Sequence, residues 1–197
     1  MTETPQRQNC HKEIVDVAIQ QAAQSGLDAL SIGGLAKTVG MSKSGVFGHF
    51  GSKQDLQIEV LNACHARFVE QVVQPAISLK RPLARLLALL ENWLDWAGKS
   101  DGGCLFVATA TEFDDRPGPV HDQVREGCQA WMLTLERAVS VAVAAGDLNP
   151  ETSPKQFAFE IHGLMLSYHC RKRLLQSDEA PEMAKAAFAR LLRNYGA

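Results

Sequence analysis

The sequence offers nothing for a bilayer, a disulfide framework or a nucleotide phosphate to hold. No apolar run approaches the roughly 18–20 residues that a membrane span needs. The first residues, MTETPQRQNCHKE, are polar and mixed in charge, so no signal peptide is expected. Five cysteines (Cys10, Cys64, Cys104, Cys128 and Cys170) are dispersed without a CxxC pair, and an odd, scattered set does not make a secreted disulfide scaffold. A glycine-rich phosphate loop, a paired-carboxylate motif and a Ser-His-Asp order tied to a nucleophile turn are all missing, so neither an enzyme nor a cofactor site is expected. The adjacent pairs Cys10-His11, Cys64-His65 and His169-Cys170 point about 100° apart on a helix. None has the i, i+4 spacing that sets two metal ligands on one face, so no metal is expected. The expectation is a soluble, cytoplasmic protein.

Charge of one sign is also scarce. The 197 residues carry 20 basic and 22 acidic side chains, a net charge of −2, so no bulk attraction to nucleic acid exists. Up to Lys53 there are five basic residues against four acidic, and the remainder is slightly negative. That asymmetry is too weak to decide anything alone.

Strand-like alternation, low-complexity tracts and fixed-period repeats are absent as well. What is present is helical periodicity almost throughout. Ile14, Val17, Ala18, Gln21 and Ala22 mark a first helix stopped by Ser25-Gly26. Ser31 can cap a second, with Ile32, Leu35, Ala36 and Val39 inward and Gly40 as its stop. Ser42 can cap a third, with Val46, Phe47 and Phe50 as buried candidates. Ser52 can cap a fourth, running inward through Leu56, Val60, Ala63 and Phe68 to Pro75. Longer helices follow: about Pro82 to Gly98, Gly103 to Phe113, a long one through Val120–Val143, Pro154–Leu175 and Ala180–Tyr195. The fold class is all-α, about nine helices.

The second and third helices, SIGGLAKTVG and MSKSGVFGHF, are short and meet at the tight turn Gly40-Met41-Ser42. That is the arithmetic of a helix-turn-helix, whose second helix enters a groove about 12 Å wide. Its outward residues would be Lys43, Ser44, Gly45, Gly48 and His49. Small residues let the backbone approach DNA, while Lys and Ser reach base edges or phosphates. Ser52-Lys53 then opens another helix whose positive end suits a phosphate. Spacing alone fits equally a small helical cap over a larger core, with Lys43 and Lys53 merely solvated.

The ordered run GLDALSIGGLAKTVGMSKSGVFGHFGSKQDL, within Ile14–Leu56, resembles the DNA-binding domain of the tetracycline-repressor (TetR) family. The matching features are the glycine before the second helix, Ser31-Ile32, Leu35-Ala36, Gly40, Ser42, Gly45, the aromatic-x-His-Phe run Phe47–Phe50, and Lys53 followed by Leu56. The resemblance implies that Phe47 and His49 meet the DNA backbone and that Ser31 and Lys53 meet phosphates. It also implies that Lys43, Ser44 and Gly45 lie against base edges, with Ser42 entering the groove at the head of the helix. Phe47 stands where Tyr is commoner, so contact there can only be apolar. Gly48 removes a side chain from the groove and costs the helix up to ~1 kcal/mol against Ala. The run GGCLFVATATEFDDRPGPVHDQV resembles the sixth helix and following loop of one subgroup's regulatory domain.

The resemblance implies a DNA-binding domain at residues 8–55, its helix-turn-helix at about 31–50, and an effector-binding and dimerisation domain at 56–197. It implies a transcriptional regulator, commonly a repressor, working as a homodimer on a palindromic double-stranded DNA operator and released by a small-molecule effector. The last two helices would pair with their copies, and Leu164, Met165, Tyr168, Phe188 and Leu192 are the candidates for that contact. Trp93, Trp96, Phe106, Phe113 and Trp131 could line an effector pocket, with His162 offering a polar group; each is otherwise an ordinary core residue. The acids of EFDDRPG read as a solvated helix end. Cys104, near a helix start, reads as a buried structural thiol in preference to an oxidant sensor. The reading from a different class is a helical ligand-binding or structural protein whose head no longer reads DNA sequence.

Overall fold

The structure, a computed structural model, describes residues 5–99 and 103–197. The first four residues of the polar N-terminal run, and Gly102 ahead of the expected seventh helix, lie outside them. Helices run in the order α1 (Pro5–Ser25), α2 (Ile32–Thr38), α3 (Lys43–Phe50), α4 (Lys53–Phe68), a π-helical turn (Val69–Val73), α5 (Gln74–Ile77), α6 (Pro82–Lys99), α7 (Leu105–Glu112), α8 (Pro119–Ala144), α9 (Pro154–Arg173) and α10 (Ala180–Asn194). Since α4, the π turn and α5 follow one another without a break, the described residues make nine helical rods and no strand. None of these helices is long and apolar enough to cross a membrane.

The caps expected from the sequence form. Ser31 Oγ accepts from Gly34 N–H at 3.0 Å, Ser42 Oγ from Gly45 N–H at 3.1 Å, and Ser52 Oγ from Asp55 N–H at 3.0 Å. Each satisfies one of the N–H groups that a helix start leaves orphaned, worth ~1 kcal/mol. Gly40 ends α2 at φ +69°, a left-handed backbone that lets Met41 N–H reach back to Ala36 carbonyl at 2.9 Å and turns the chain into α3.

Pro75 does not stop the fourth helix, as its sequence position suggested. The chain widens into the π turn just before it, and Gln74 N–H bonds five residues back to Val69. A wider turn accommodates a residue that has no N–H to give and whose ring would strike the carbonyl four residues earlier.

The chain divides into two compact units. The first comprises the described residues up to Arg67 with Cys104–Glu126; the second comprises the described part of Phe68–Gly103 with Gly127–Ala197. The segment around α7 belongs to the first of these units, with the N-terminal helices.

In the first unit Ile14, Ala18, Ala22, Leu27, Leu35, Ala36, Val46, Phe50, Leu56 and Val60 are buried and form the core under α2 and α3. In the second, α6 buries Leu86, Leu89, Leu90, Trp93, Leu94 and Ala97, leaving Leu87 exposed. Helices α9 and α10 pack on one another, burying Phe157, Ile161 and Met165 of α9 and Phe188 and Leu192 of α10, with the Phe157 and Phe188 rings in contact.

Candidate nucleic-acid interface

Helix α3 is seated by two side chains only, Val46 and Phe50, both buried. Everything else on it faces outward or sideways. Ser42, Lys43 and Ser44 are exposed, and Phe47 is 54% exposed. Sequence periodicity grouped Phe47 with the buried residues, but Phe47 lies at the edge of that arc, about 100° round the helix from Val46, and is the one turned out. Gly48 has nothing within 4 Å of where a Cβ would stand, so its lack of a side chain leaves open space on that face. The Ser44 and Ser42 hydroxyls lie 3.2 Å apart, which ties Ser44 to the helix cap.

His49, half-buried, lies within a chain of polar contacts. Cys10 Sγ lies 4.0 Å from His49 Nε2; His49 Nδ1 lies 3.3 Å from His11 Nδ1; and His11 Nε2 pairs with Glu59. One tautomer set satisfies every link. His11 Nε2–H donates to the Glu59 carboxylate, His49 Nδ1–H donates to His11 Nδ1, and the Cys10 thiol donates to His49 Nε2. Residues of α1 and α4 thereby fix the ring at the end of α3. Arg7 adds a hydrogen bond from Nη2 to Gly48 carbonyl at 3.1 Å. His11, Glu59 and Arg7 escaped sequence reasoning because nothing in their spacing links them to α3. Among the described residues no group of three or more His, Cys, Asp and Glu side chains is arranged to hold a metal ion.

Lys53, exposed at the start of α4, is engaged within the chain. Its Nζ donates to Asp28 carbonyl at 2.6 Å and to Asp28 Oδ1 at 2.8 Å, while Arg116 Nη1 donates to Asp28 Oδ2 at 2.9 Å. The Lys53 hydrogen bond first, and that from Arg116 second, hold the Asp28 carboxyl below the usual carboxylate range, so it is charged at neutral pH. The turn that carries Asp28 is clamped by Glu112, whose Oε1 accepts from Asp28 N–H at 2.8 Å and whose Oε2 accepts from Leu27 N–H at 2.9 Å. Gly26, at φ +93°, leaves the space for that carboxylate: a Cβ there would stand 2.9 Å from Glu112 Oε1. EFDDRPG is therefore more than a solvated helix end. One signal was available in the sequence, since a carboxylate in the last turn of a helix opposes the helix dipole unless it is used elsewhere.

The residues expected to line a pocket fall in both units. Phe106 and Phe113 belong to the first unit, where Phe106 meets His65 edge-on at 5.9 Å. Trp93, Trp96, Trp131 and His162 belong to the second. There Phe68 receives Trp96 and Trp131 edge-on, with ring centroids 5.9 and 5.0 Å away. Trp131 Nε1–H is buried without a hydrogen-bond acceptor among the described residues. Trp93 instead packs on Tyr168, whose hydroxyl donates to Leu94 carbonyl at 3.3 Å; both are core residues. Burial lowers the His162 pKa, favouring its neutral form. Two surface grooves of this unit, about 360 and 470 Å³, are lined by other residues apart from Tyr168 and Leu164. Cys104 is buried, and burial, then the neighbouring Cys104, push the Cys64 thiol up to about 12.

The residues expected at a subunit contact lie mostly inside their own chain. Met165, Tyr168, Phe188 and Leu192 are buried within their own chain, Met165 at 1% and Phe188 at 2% exposure, where α9 packs on α6 and α10 packs on α9. They lie where the helix pair packs together. Leu164 is half-buried in the groove between α9 and α10. The outward apolar stripe is a different one: Phe159 at 67% and Leu166 at 41% exposure, with Gly163 between them, and Met183 on α10.

Comparison with known proteins bears on both units. Residues 14–60 match the description "Bacterial regulatory proteins, tetR family", and residues 82–188 match "Tetracyclin repressor-like, C-terminal domain". Among solved structures, a TetR transcriptional regulator from Chloroflexus aurantiacus superposes with a TM-score of 0.85 at 22% identity, covering 96% of each chain. A TetR-family regulator from Cytophaga hutchinsonii gives 0.86 at 16% identity over 98% of each. AibR, solved with isovaleryl coenzyme A and operator DNA, gives 0.70 at 21% identity over 89% of this chain and 96% of its own. A search of curated proteins found no match.

Proposed function

From the premise that this chain belongs to the tetR family of DNA-binding transcription regulators, we propose that it is a ligand-responsive repressor acting as a homodimer on a palindromic operator. The observation that carries the reading is α3: a short helix, capped by Ser42 and held by Val46 and Phe50, that turns Lys43, Ser44 and Phe47 outward together. In this reading Lys43 and Ser44 meet base edges, with Gly45 letting the backbone approach. Phe47 lies against a sugar or a thymine methyl, and Ser31, Ser42, His49 and Lys53 lie near phosphates. A single chain offers one such helix, and a two-fold pair spans half-sites one helical turn apart. The outward stripe Phe159–Gly163–Leu166, with Met183, suits the second copy, since Gly163 lets a partner helix come close.

The experiment is to select fragments from a random DNA library on the purified protein and sequence them. Enrichment of a two-fold motif with half-sites one turn apart supports the proposal. Retention with no enrichment over the input would leave a helical ligand-binding or structural protein whose head does not read sequence. Once a site is known, Lys43→Ala should relax preference at one base position by about 1–3 kcal/mol if Lys43 reaches a guanine edge. Equal loss on every sequence would reassign it to a phosphate.

Effector binding is assigned to the second unit, where Trp96 and Trp131 frame Phe68 and an indole N–H lacks an acceptor. The ligand class this favours is apolar with a hydrogen-bond acceptor. An inducer must prefer the DNA-free form, because equal affinity for both forms shifts nothing. A coupling of about 1–3 kcal/mol lowers operator affinity some 5–150-fold, and DNA weakens the ligand by the same factor. Tryptophan fluorescence titrations of one ligand with and without operator check this; identical affinities would remove the switch.

A further inference from the structure

The Lys53 ammonium already has an anion beside it. Asp28 gives Lys53 one carboxylate oxygen and its main-chain carbonyl, and gives its second carboxylate oxygen to Arg116. Asp28 cannot simply swing away. Its N–H and that of Leu27 are held by the two Glu112 oxygens, and Leu27 carbonyl accepts from the buried Gln57 amide at 3.0 Å. Arg116 is steadied in turn over the Phe113 ring, 5.6 Å from its centroid. One carboxylate, fixed in position, is therefore shared by two cations.

We propose that Asp28 competes with DNA phosphate for Lys53, and that Arg116, by drawing on the same carboxylate, sets how strongly it competes. Asp28 and Arg116 are then positioning residues for a contact that Lys53 makes, and the proposal rests on the reading of Lys53 as a phosphate contact. All three side chains are about half exposed. Solvent makes each ion pair weak, so a phosphate can take Lys53 from Asp28 and one added or removed charge can tip the balance. With Arg116 in place the cluster of Lys53, Asp28 and Arg116 carries a net positive charge. Without it, Asp28 neutralises Lys53 outright. The segment after α7 thus adjusts a DNA contact on α4 without touching DNA itself.

The test uses full-length protein and a random-sequence duplex of about 24 base pairs, because phosphate contacts carry no sequence information. Affinity is measured against salt concentration. Asp28→Asn, which keeps the shape and removes the charge, should bind two- to fivefold tighter per head, roughly what an exposed ion pair is worth. Asp28→Ala should act in the same direction, and melting curves report whether either change disturbs the fold. Arg116→Ala should weaken binding by a similar factor, and that loss should largely vanish in the Asp28→Asn background. Lys53→Ala should weaken binding, flatten the salt slope by about one unit per head, and abolish the gain from Asp28→Asn. If Lys53→Ala changes neither affinity nor slope, the functional reading of Lys53 fails. If Lys53→Ala weakens binding but neither Asp28 variant tightens it, the competition is overturned. An Arg116→Ala loss of the same size in both backgrounds would make Arg116 an independent cation and overturn its part.

Discussion

Phe157→Ala should lower the unfolding free energy by about 3–5 kcal/mol, out of the ~5–15 kcal/mol typical of such a chain. Phe157 is wholly buried at the first turn of α9. Its ring meets Phe188 edge-on at 6.5 Å and Tyr195 at 4.8 Å. Removing it takes away the transfer energy of the ring and both aromatic contacts, and leaves a cavity that the packed pair of helices cannot collapse to fill. The expected readout is a lower urea midpoint with an unchanged slope. A loss under ~1 kcal/mol would mean that the α9–α10 pair is not the firm core it appears from its burial.

Two residues further on, the same helix should behave in the opposite way. Phe159→Asp with Leu166→Asp should leave helical circular dichroism intact and convert a dimer into monomers in sedimentation. Both side chains face outward, so charge there costs the folded chain little but opposes burial against a second copy. A monomer engages one half-site at a time and loses the effective concentration that the linked second head supplies, about 10²–10⁴ in operator affinity. An unchanged dimer would move the subunit contact off this stripe. Phe188→Asp, by contrast, should unfold the protein.

That contrast also shows where sequence reading stops. Periodicity finds the apolar positions of α9, but this helix has two apolar sides: Phe157, Ile161 and Met165 on one, Phe159 and Leu166 on the other. Nothing in the spacing says which side meets the chain's own core. The helix-turn-helix was legible because its signals are local, with Ser31 and Ser42 as caps and Gly40 between them. The Glu112 clamp was not, because its partners lie 84 and 85 residues away. The Cys10–His49–His11–Glu59 chain was hidden for the same reason, as was Phe47, whose direction depends on how one turn of helix is tilted. Continuation past Pro75 depends on a π turn that VEQVVQP does not announce.

The clamp on Gly26–Asp28 has a consequence for how the protein comes into being. The ribosome makes this turn first, and Glu112 emerges roughly 4–17 s later at ordinary elongation rates, given the 84-residue separation from Asp28. Until then the Leu27 and Asp28 amides have only water, and Lys53 faces Asp28 without Arg116 to share it. The first unit is thus discontinuous in the chain, closed by a long loop, and its last interactions are non-local ones that form late. The nascent head leaves the ribosome unfinished, and its completion is timed by the synthesis of residues 104–126.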